Sequence, residues 1–354
     1  MPRTDDSSIM LHKRAFALSR KGRHAQAVKM LDRALKLDPR NADALCDKGN
    51  ELALLGRNKR ALACFRRALA HSPGDPAILY NKGLTLYEID RHDEAIACYD
   101  EALKASPDDT DILCNKANAL VALGKHDEAI ECYSKALEID RSDIVALNNK
   151  AIVYAGKGMH DKALACFDRA LEIKPGDVDS LCNRGNTLSA LGRHAEAAAC
   201  FKKAARLEPE DLDALYHYGI ELSELGRNAE AAACLGRVLK SDPKNVNVLI
   251  AKGAAMHGLG RYAKALECYD RALKLDPSDA GALYNKARAM SVLGHAGEAL
   301  ELLGKAVELG YEHASHDNNH DHQHKEPTIK DRARSEDAFK NIRDDPRFAL
   351  LVGR

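Results

Sequence analysis

The stretch ADALCDKGNELALLGRNKRALACFRRALAHSPGD, residues 42–75, decides the fold. Its first half carries small and apolar residues at spacings of four, three and three, which is the period of one helix face: Leu45, Gly49, Leu52, Leu55. Gly56 ends this helix, because glycine adopts the left-handed conformation without a Cβ penalty. The second half repeats helical spacing at Ala61, Phe65 and Ala68, and Pro73 follows where it cannot continue a helix. The stretch therefore predicts two antiparallel helices joined by a tight turn.

The same unit occurs nine times along the chain at a fixed interval. One alanine occupies the same place in every copy: Ala27, Ala61, Ala95, Ala129, Ala163, Ala197, Ala231, Ala265, Ala299. In each unit, Gly or Ala at the eighth position (Gly49) is paired with a large residue at the twenty-fourth (Phe65), as close helix packing requires. A fixed period of this size indicates one supersecondary unit stacked on copies of itself. Stacked repeats favour an extended binding surface over a catalytic pocket.

This pattern of small, aromatic and proline positions resembles the tetratricopeptide repeat. The resemblance implies an all-α fold, a right-handed α-α superhelix (solenoid) of nine helix-turn-helix repeats with a C-terminal cap helix. The chain departs from the family in lacking tryptophan, in carrying Asp90 where the other units have glycine, and in replacing the inter-repeat proline with Arg141 and Tyr311. We expect an N-terminal tail at residues 1–7, a His-rich linker at 314–328 and a capping segment at 329–354. The nine repeats are expected at residues 8–41, 42–75, 76–109, 110–143, 144–177, 178–211, 212–245, 246–279 and 280–313.

Composition narrows the class of partner. Lys plus Arg and Asp plus Glu number 53 each, so the formal net charge is zero. A neutral chain lacks the electrostatic basis for binding nucleic acid or an anionic membrane. No stretch approaches 18 consecutive apolar residues, and the start MPRTDDSSIM lacks the layout of a signal peptide. We therefore expect a cytoplasmic protein with no nucleic-acid or membrane partner.

The ten cysteines follow the repeat rather than a disulfide or zinc pattern. Seven share one repeat position: Cys64, Cys98, Cys132, Cys166, Cys200, Cys234, Cys268. Packed helices lie about 8–10 Å apart, whereas a disulfide needs Cα atoms about 4.4–6.8 Å apart. No CxxC occurs. We interpret these residues as small semi-buried hydrophobes.

Asparagines recur on the helix that the resemblance places at the concave face. At the sixth position of the unit the side chains are mostly carboxamides: Asp47, Asn81, Asn115, Asn149, Asn183, His217, Asn285. The row is similar to the asparagine ladder of the tetratricopeptide part of O-linked N-acetylglucosamine transferase, which holds peptide backbone. A carboxamide has both donors and an acceptor, as an extended peptide requires. The alternative is that these asparagines bond to neighbouring repeats.

A longer period, twice the length of the unit, runs beside this ladder. It is carried by Asn50, Asn118 and Asn186, whose equivalents in the alternate repeats are apolar: Phe16, Leu84, Ile152, Ile220. Duplication of a two-repeat block explains the alternation. A ligand that reads alternating polar and apolar positions is a compatible functional explanation.

The remaining groove positions suggest the chemistry of the partner. Aromatic anchors of the kind enriched at binding hot spots are present at Tyr80, Tyr216 and Tyr284. Acidic residues outnumber basic ones there, so a neutral to basic extended protein or peptide segment is expected. The fifth position carries no lysine or arginine, so a chaperone partner held by a carboxylate clamp is not expected. Lysines at the seventh position are interpreted as exposed ion pairs.

The chain shows no phosphate-binding glycine loop, nucleophile elbow or HExxH motif, so we expect a non-enzymatic scaffold with no cofactor. The alternative is a metal-responsive protein that binds Zn²⁺ or Ni²⁺ through a histidine-rich tract. Its candidate ligands, irregularly spaced and equally consistent with a solvated hinge, are His313, His316, His320, His322 and His324.

Apolar spacing resumes at the C-terminus. Phe339, Ile342, Phe348 and Leu351 are predicted to dock on the last repeat, because a solenoid exposes apolar surface at its end and requires a cap.

Overall fold

The structure is a computed structural model and describes residues 3–316 and 328–353. It divides into two compact units, Met1–Pro175 and Gly176–Arg354. In the first unit, ten helices form five consecutive hairpins, in which each odd-numbered helix packs on the even-numbered helix that follows it. These helices are α1 Arg3–Ser19, α2 His24–Leu37, α3 Ala42–Leu54, α4 Asn58–His71, α5 Pro76–Tyr87, α6 His92–Ala105, α7 Thr110–Ala122, α8 His126–Ile139, α9 Ile144–Gly156 and α10 His160–Ile173.

The second unit contains four hairpins and a C-terminal segment. Its helices are α11 Val178–Ala190, α12 His194–Leu207, α13 Leu212–Glu224, α14 Asn228–Ser241, α15 Val246–Gly258, α16 Tyr262–Leu275, α17 Ala280–Val292, α18 Ala296–His316, α19 Ile329–Ser335, a 3₁₀ helix Asp337–Ile342 and α20 Pro346–Val352. The predicted all-α solenoid of nine helix-turn-helix repeats is confirmed.

An aspartate or asparagine caps the first helix of every hairpin from the second to the ninth. Asn41, for example, accepts a hydrogen bond from the backbone N–H of Ala44 at 2.8 Å. Each such cap stabilises its helix by about 1 kcal/mol. The capping position is aspartate or asparagine throughout: Asn41, Asp75, Asp109, Asp143, Asp177, Asp211, Asn245, Asp279.

The core of each hairpin is built from a small residue facing a large one. Gly49 on α3 lies against Phe65 on α4, and a Cβ at Gly49 would lie 2.5 Å from Cε1 of Phe65. Phe65 is fully buried. The equivalent pair Gly83 and Tyr99 shows the same approach. The eighth position is therefore small because the aromatic ring of the second helix occupies the space that a side chain would need.

The turn between the two helices of a hairpin requires a left-handed residue. Gly56 has φ 69° in the second hairpin, and the equivalent residue of the third hairpin is Asp90, with φ 58°. Among the described residues, Asp90 is the only non-glycine with positive φ. The replacement of glycine by Asp90 thus leaves the turn conformation unchanged. Asp90 adopts the left-handed backbone conformation at a cost in conformational free energy.

Substitution of Asp90 by glycine is expected to stabilise the protein by about 0.5–1 kcal/mol, because it relieves the left-handed strain. The reciprocal change Gly124→Asp, at φ 74° in the next hairpin, should destabilise by a similar amount. Urea unfolding followed by circular dichroism measures both. A loss of stability in Asp90→Gly would show instead that the contact of Asp90 with His92, 3.7 Å between Oδ1 and Nε2, outweighs the strain.

The C-terminal segment covers the last hairpin as predicted. Phe339 and Ile342 of the 3₁₀ helix and Phe348 of α20 are buried in one cluster with Leu283 and Leu303 of α17 and α18. Leu351 is partly buried against the same cluster.

Helix α18 is longer than the other second helices. It has 21 residues, whereas α16 has 14. Tyr311 stands inside it, at the place where the other repeats, apart from the one with Arg141, carry proline. Without that proline the helix continues beyond the repeat boundary.

Candidate functional site

The first helices of successive hairpins lie side by side in each unit. In the first unit, α3 contacts α5, α5 contacts α7, and α7 contacts α9; in the second, α13 contacts α15 and α15 contacts α17. The sixth-position side chains of neighbouring repeats are therefore brought together within a unit. We call the row formed by Asn81, Asn115 and Asn149 of the first unit the amide ladder.

All three members of the amide ladder bond to the preceding repeat. Nδ2 of Asn81 donates to Sγ of Cys46 at 3.6 Å. Nδ2 of Asn115 donates to the hydroxyl of Tyr80 at 3.1 Å and to the backbone carbonyl of Asp111 at 2.8 Å. The bonds to Cys46 and Tyr80 fix the ladder side chains at the junctions between first helices. The alternative raised from the sequence, bonding to neighbouring repeats, thus accounts for one N–H group of each ladder amide.

The third member belongs to a small polar cluster. Nδ2 of Asn149 donates to Oδ1 of Asn118 at 3.3 Å, and the hydroxyl of Tyr133 donates to the same oxygen at 2.5 Å. Tyr133 is buried, and burial raises the pKa of its hydroxyl, so this group stays protonated and remains a donor. The bonds named here use N–H groups of Asn81, Asn115 and Asn149 and none of their carbonyl oxygens. The ladder therefore offers carbonyl oxygens, which can accept hydrogen bonds from a ligand's N–H groups.

The other predicted first-unit residues are less uniform. Asp47 pairs with His12, with 2.6 Å between Oδ2 and Nε2. Asn50 is half-buried. Tyr80 is half-buried and its hydroxyl accepts from Asn115, so this residue is held at the ladder by the next repeat. Burial, with a smaller effect of Asp111, raises the pKa of Tyr80.

In the second unit, Asn183 is half-buried and Asn186 is exposed. The hydroxyl of Thr187 donates to the backbone carbonyl of Asn183 at 2.9 Å. His217 stacks on Phe201 with ring centroids 5.1 Å apart, and Tyr216 meets the His217 ring edge-on at 5.2 Å.

The C-terminal segment packs over the predicted site residues of the last repeat. Tyr284 is 6% exposed and packs on Phe339, with ring centroids 5.6 Å apart. Asn285 donates to the carbonyl of Gly281 and accepts from Arg288, both at 2.9 Å. Tyr284 was expected to be an exposed anchor, and it is instead buried because the cap docks over it.

Two contacts between a partly exposed histidine and a buried glutamate were not anticipated from the sequence. Glu51 lies 2.9 Å from Nδ1 of His24, and Glu221 lies 2.9 Å from Nδ1 of His194. Ser189 also donates to Glu221, at 2.7 Å. Each glutamate follows, in the next repeat, a histidine that begins a second helix. This recurring order of histidine and glutamate was the available signal.

Three of the lysines at the seventh position form ion pairs, and their side chains are partly buried rather than exposed. Nζ of Lys48 lies 2.6 Å from Asp32, Nζ of Lys116 lies 2.6 Å from Asp100, and Nζ of Lys286 lies 2.7 Å from Asp270.

All ten cysteines lie in the described part of the chain, and none forms a disulfide. Burial raises the pKa of Cys46 to about 11 and that of Cys114 to about 12. Both thiols are therefore protonated at neutral pH and are poor nucleophiles.

The histidine-rich candidates for metal binding lie outside the described side chains: His313, His316, His320, His322 and His324. Among the residues that are described, no group of three or more His, Cys, Asp or Glu is arranged to hold a metal ion.

Comparison with known families bears on the repeat itself. Models of the tetratricopeptide repeat match nearly all of residues 9–315: 9–41, 46–110, 108–175, 142–208, 182–245, 219–280 and 256–315. The chain belongs to the tetratricopeptide repeat family. Tetratricopeptide repeats are generally non-enzymatic scaffolds, so the family supports a role in protein interaction. A search of curated protein sequences gave no match.

Solved structures agree on the fold. A tetratricopeptide repeat protein from Cytophaga hutchinsonii, represented by its C-terminal part, aligns with a TM-score of 0.57 at 16% identity, over 67% of this chain and 97% of that one. The pilF protein of Pseudomonas aeruginosa aligns with a TM-score of 0.52 at 22% identity, over 61% and 96%. YrrB, described as a tetratricopeptide repeat protein with an unusual peptide-binding site, is 27% identical over 53% and 97%, with a TM-score of 0.48.

Within residues 3–316 and 328–353, the tetratricopeptide repeat helices include none that is both long and apolar enough to cross a membrane.

Proposed function

We propose that this chain is a non-enzymatic scaffold that binds an extended peptide or protein segment along the first helices of its hairpins. The observation that supports the proposal is the amide ladder, whose members lie at successive junctions between first helices. At least one N–H group of each amide bonds within the protein, and these bonds leave the carbonyl oxygens available to a ligand. Such a row is matched by the N–H groups of an extended backbone and is indifferent to the ligand's side chains.

The charge around the ladder supports a neutral to basic partner. Asp43 and Asp111 are exposed on first helices of the first unit, and Glu88 is exposed directly after α5. In the second unit, Arg288 is paired with Glu336, with 2.9 Å between Nη2 and Oε1, which neutralises one of the few basic groove residues. An acidic segment would meet repulsion here.

A cytoplasmic location is part of the same proposal. Ten free cysteines in one chain are typical of a reducing compartment, because disulfides form and persist in oxidising ones.

A displayed library of random 12-residue peptides provides the test. The full chain is compared with the triple variant Asn81→Ala, Asn115→Ala, Asn149→Ala. Each lost hydrogen bond contributes about 0.5–1.5 kcal/mol, so the triple variant should bind the selected peptides roughly 10- to 1,000-fold more weakly.

The matched control carries Arg66→Ala, Glu131→Ala and Lys135→Ala, three exposed positions on the second helices α4 and α8. It should retain the wild-type affinity. Equal binding by the wild-type protein and the triple asparagine variant would refute the assignment of the ladder as the binding surface.

A further inference from the structure

One cavity opens beside the amide ladder in the first unit. It has a volume of about 130 Å³ and lies among the first helices α5, α7 and α9, with the second helix α8 beneath it. Apolar and aromatic groups form most of its walls: Tyr87, Val121, Ile152, Val153. Asn118, Asn149 and Tyr133 complete the lining.

Two hydrogen bonds in the cavity converge on one oxygen. Oδ1 of Asn118 accepts from the hydroxyl of Tyr133 and from Nδ2 of Asn149. These two donors keep their bonds when an apolar group enters, so neither is left unpaired, which would cost free energy. No lining residue is charged, so a charged group entering the cavity would lose its hydration without gaining a partner.

Contacts within the protein hold the side chains that form the walls of the cavity. The ring of Tyr87 contacts the ring of His92 at 5.1 Å between centroids. Val153 is buried, whereas Ile152 is 47% exposed and forms the rim on α9. A large apolar side chain that remains half exposed beside a cavity gains burial when a ligand covers it.

We propose that this cavity is a specificity pocket that takes one branched or flexible aliphatic side chain, leucine, isoleucine or methionine, of the segment bound on the amide ladder. The inference rests on the proposed function, because the ladder must hold the backbone for the side chain to reach the pocket. The volume of about 130 Å³ is of the same order as the roughly 150 Å³ of an apolar cavity that takes benzene, so the pocket has room for one side chain of this size. Asn149 links the two features, since it belongs to the ladder and lines the pocket.

The alternation of polar and apolar residues at the ninth position of the repeat is also present in the lining of this cavity. Asn118 and Ile152 occupy the ninth position of consecutive repeats, one polar and one apolar, and both line the pocket. Duplication of a two-repeat block explains how the pattern arose, and the pocket gives it one use.

The test uses the same random 12-residue peptide library on the full chain and on Ile152→Asp. Asparagine stands at the ninth position in three repeats, so a polar residue is compatible with the fold there. Peptides selected by the wild-type protein should share leucine, isoleucine or methionine at one position. Replacing that residue by alanine should weaken binding by about 10- to 100-fold. Ile152→Asp should reject these peptides and select lysine or arginine at the same position.

Ile220→Asp is the matched control, because Ile220 is the ninth-position residue of a second-unit repeat and does not line this pocket. It should keep the wild-type preference. The pocket assignment fails alone if wild-type selection depends on the ladder asparagines but shows no aliphatic position, or if Ile152→Asp leaves the preference unchanged. If the wild-type protein selects no peptide, or the triple asparagine variant selects the same peptides equally well, the proposed function fails and the pocket assignment fails with it.

Discussion

Phe65→Ala is expected to lower the free energy of unfolding by about 3–5 kcal/mol. The ring is fully buried and stands against Gly49, which has no side chain that could move into the vacated space. The loss therefore combines the transfer free energy of the ring with the cost of a cavity. Because each repeat contacts only its neighbours, hydrogen exchange should show the largest loss of protection in α3 and α4.

Phe65→Leu is the control, since leucine occupies the equivalent place in other hairpins, as Leu31 and Leu235. It should recover most of the stability. Urea unfolding measures both variants, and a loss below about 1 kcal/mol for Phe65→Ala would contradict the packing described for Gly49 and Phe65.

Deletion of residues 329–354 is expected to lower the melting temperature of the second unit by roughly 5–15 °C, which corresponds to about 2–4 kcal/mol. The deletion removes Phe339, Ile342 and Phe348 and uncovers Leu283 and Leu303. The uncovered surface is a contiguous apolar patch, so the shortened chain should also form larger species on size exclusion. An unchanged melting temperature together with an unchanged elution profile would show that the segment is not a cap.

Two point variants distinguish loss of the buried apolar contact from loss of the C-terminal segment itself. Phe339→Ala removes a fully buried ring and should cost about 3–5 kcal/mol. Leu350→Ala changes a side chain that is 83% exposed on the same segment and should stay within about 0.5 kcal/mol of the wild type.

The sequence was sufficient for the repeated parts of the fold. The pairing of Gly49 with Phe65 and the turn at Gly56 depend on local spacing, which the regular recurrence of the unit displays directly. The apolar spacing at Phe339, Ile342 and Phe348 likewise predicted the cap, because those residues resume a helical pattern after a polar stretch.

The details of the candidate site needed coordinates. Spacing placed Asn115 on the first helix of its hairpin, but only the distances to Tyr80 and Asp111 show that its N–H groups are already used. Tyr284 was misjudged because its burial depends on Phe339, which belongs to the C-terminal segment and not to a neighbouring repeat. The pocket bounded by Tyr87 and Ile152 joins residues of three repeats, and its volume is not a property of any single repeat.

The aspartate or asparagine that caps each first helix has a consequence for how such a protein changes in evolution. The residue that caps the first helix is aspartate or asparagine at every junction between hairpins from Asn41 to Asp279. A whole hairpin can therefore be gained or lost while its neighbours keep the same type of junction. If the proposed function holds, the length of segment that the chain binds changes in steps of one hairpin, so ligand length can change separately from ligand chemistry.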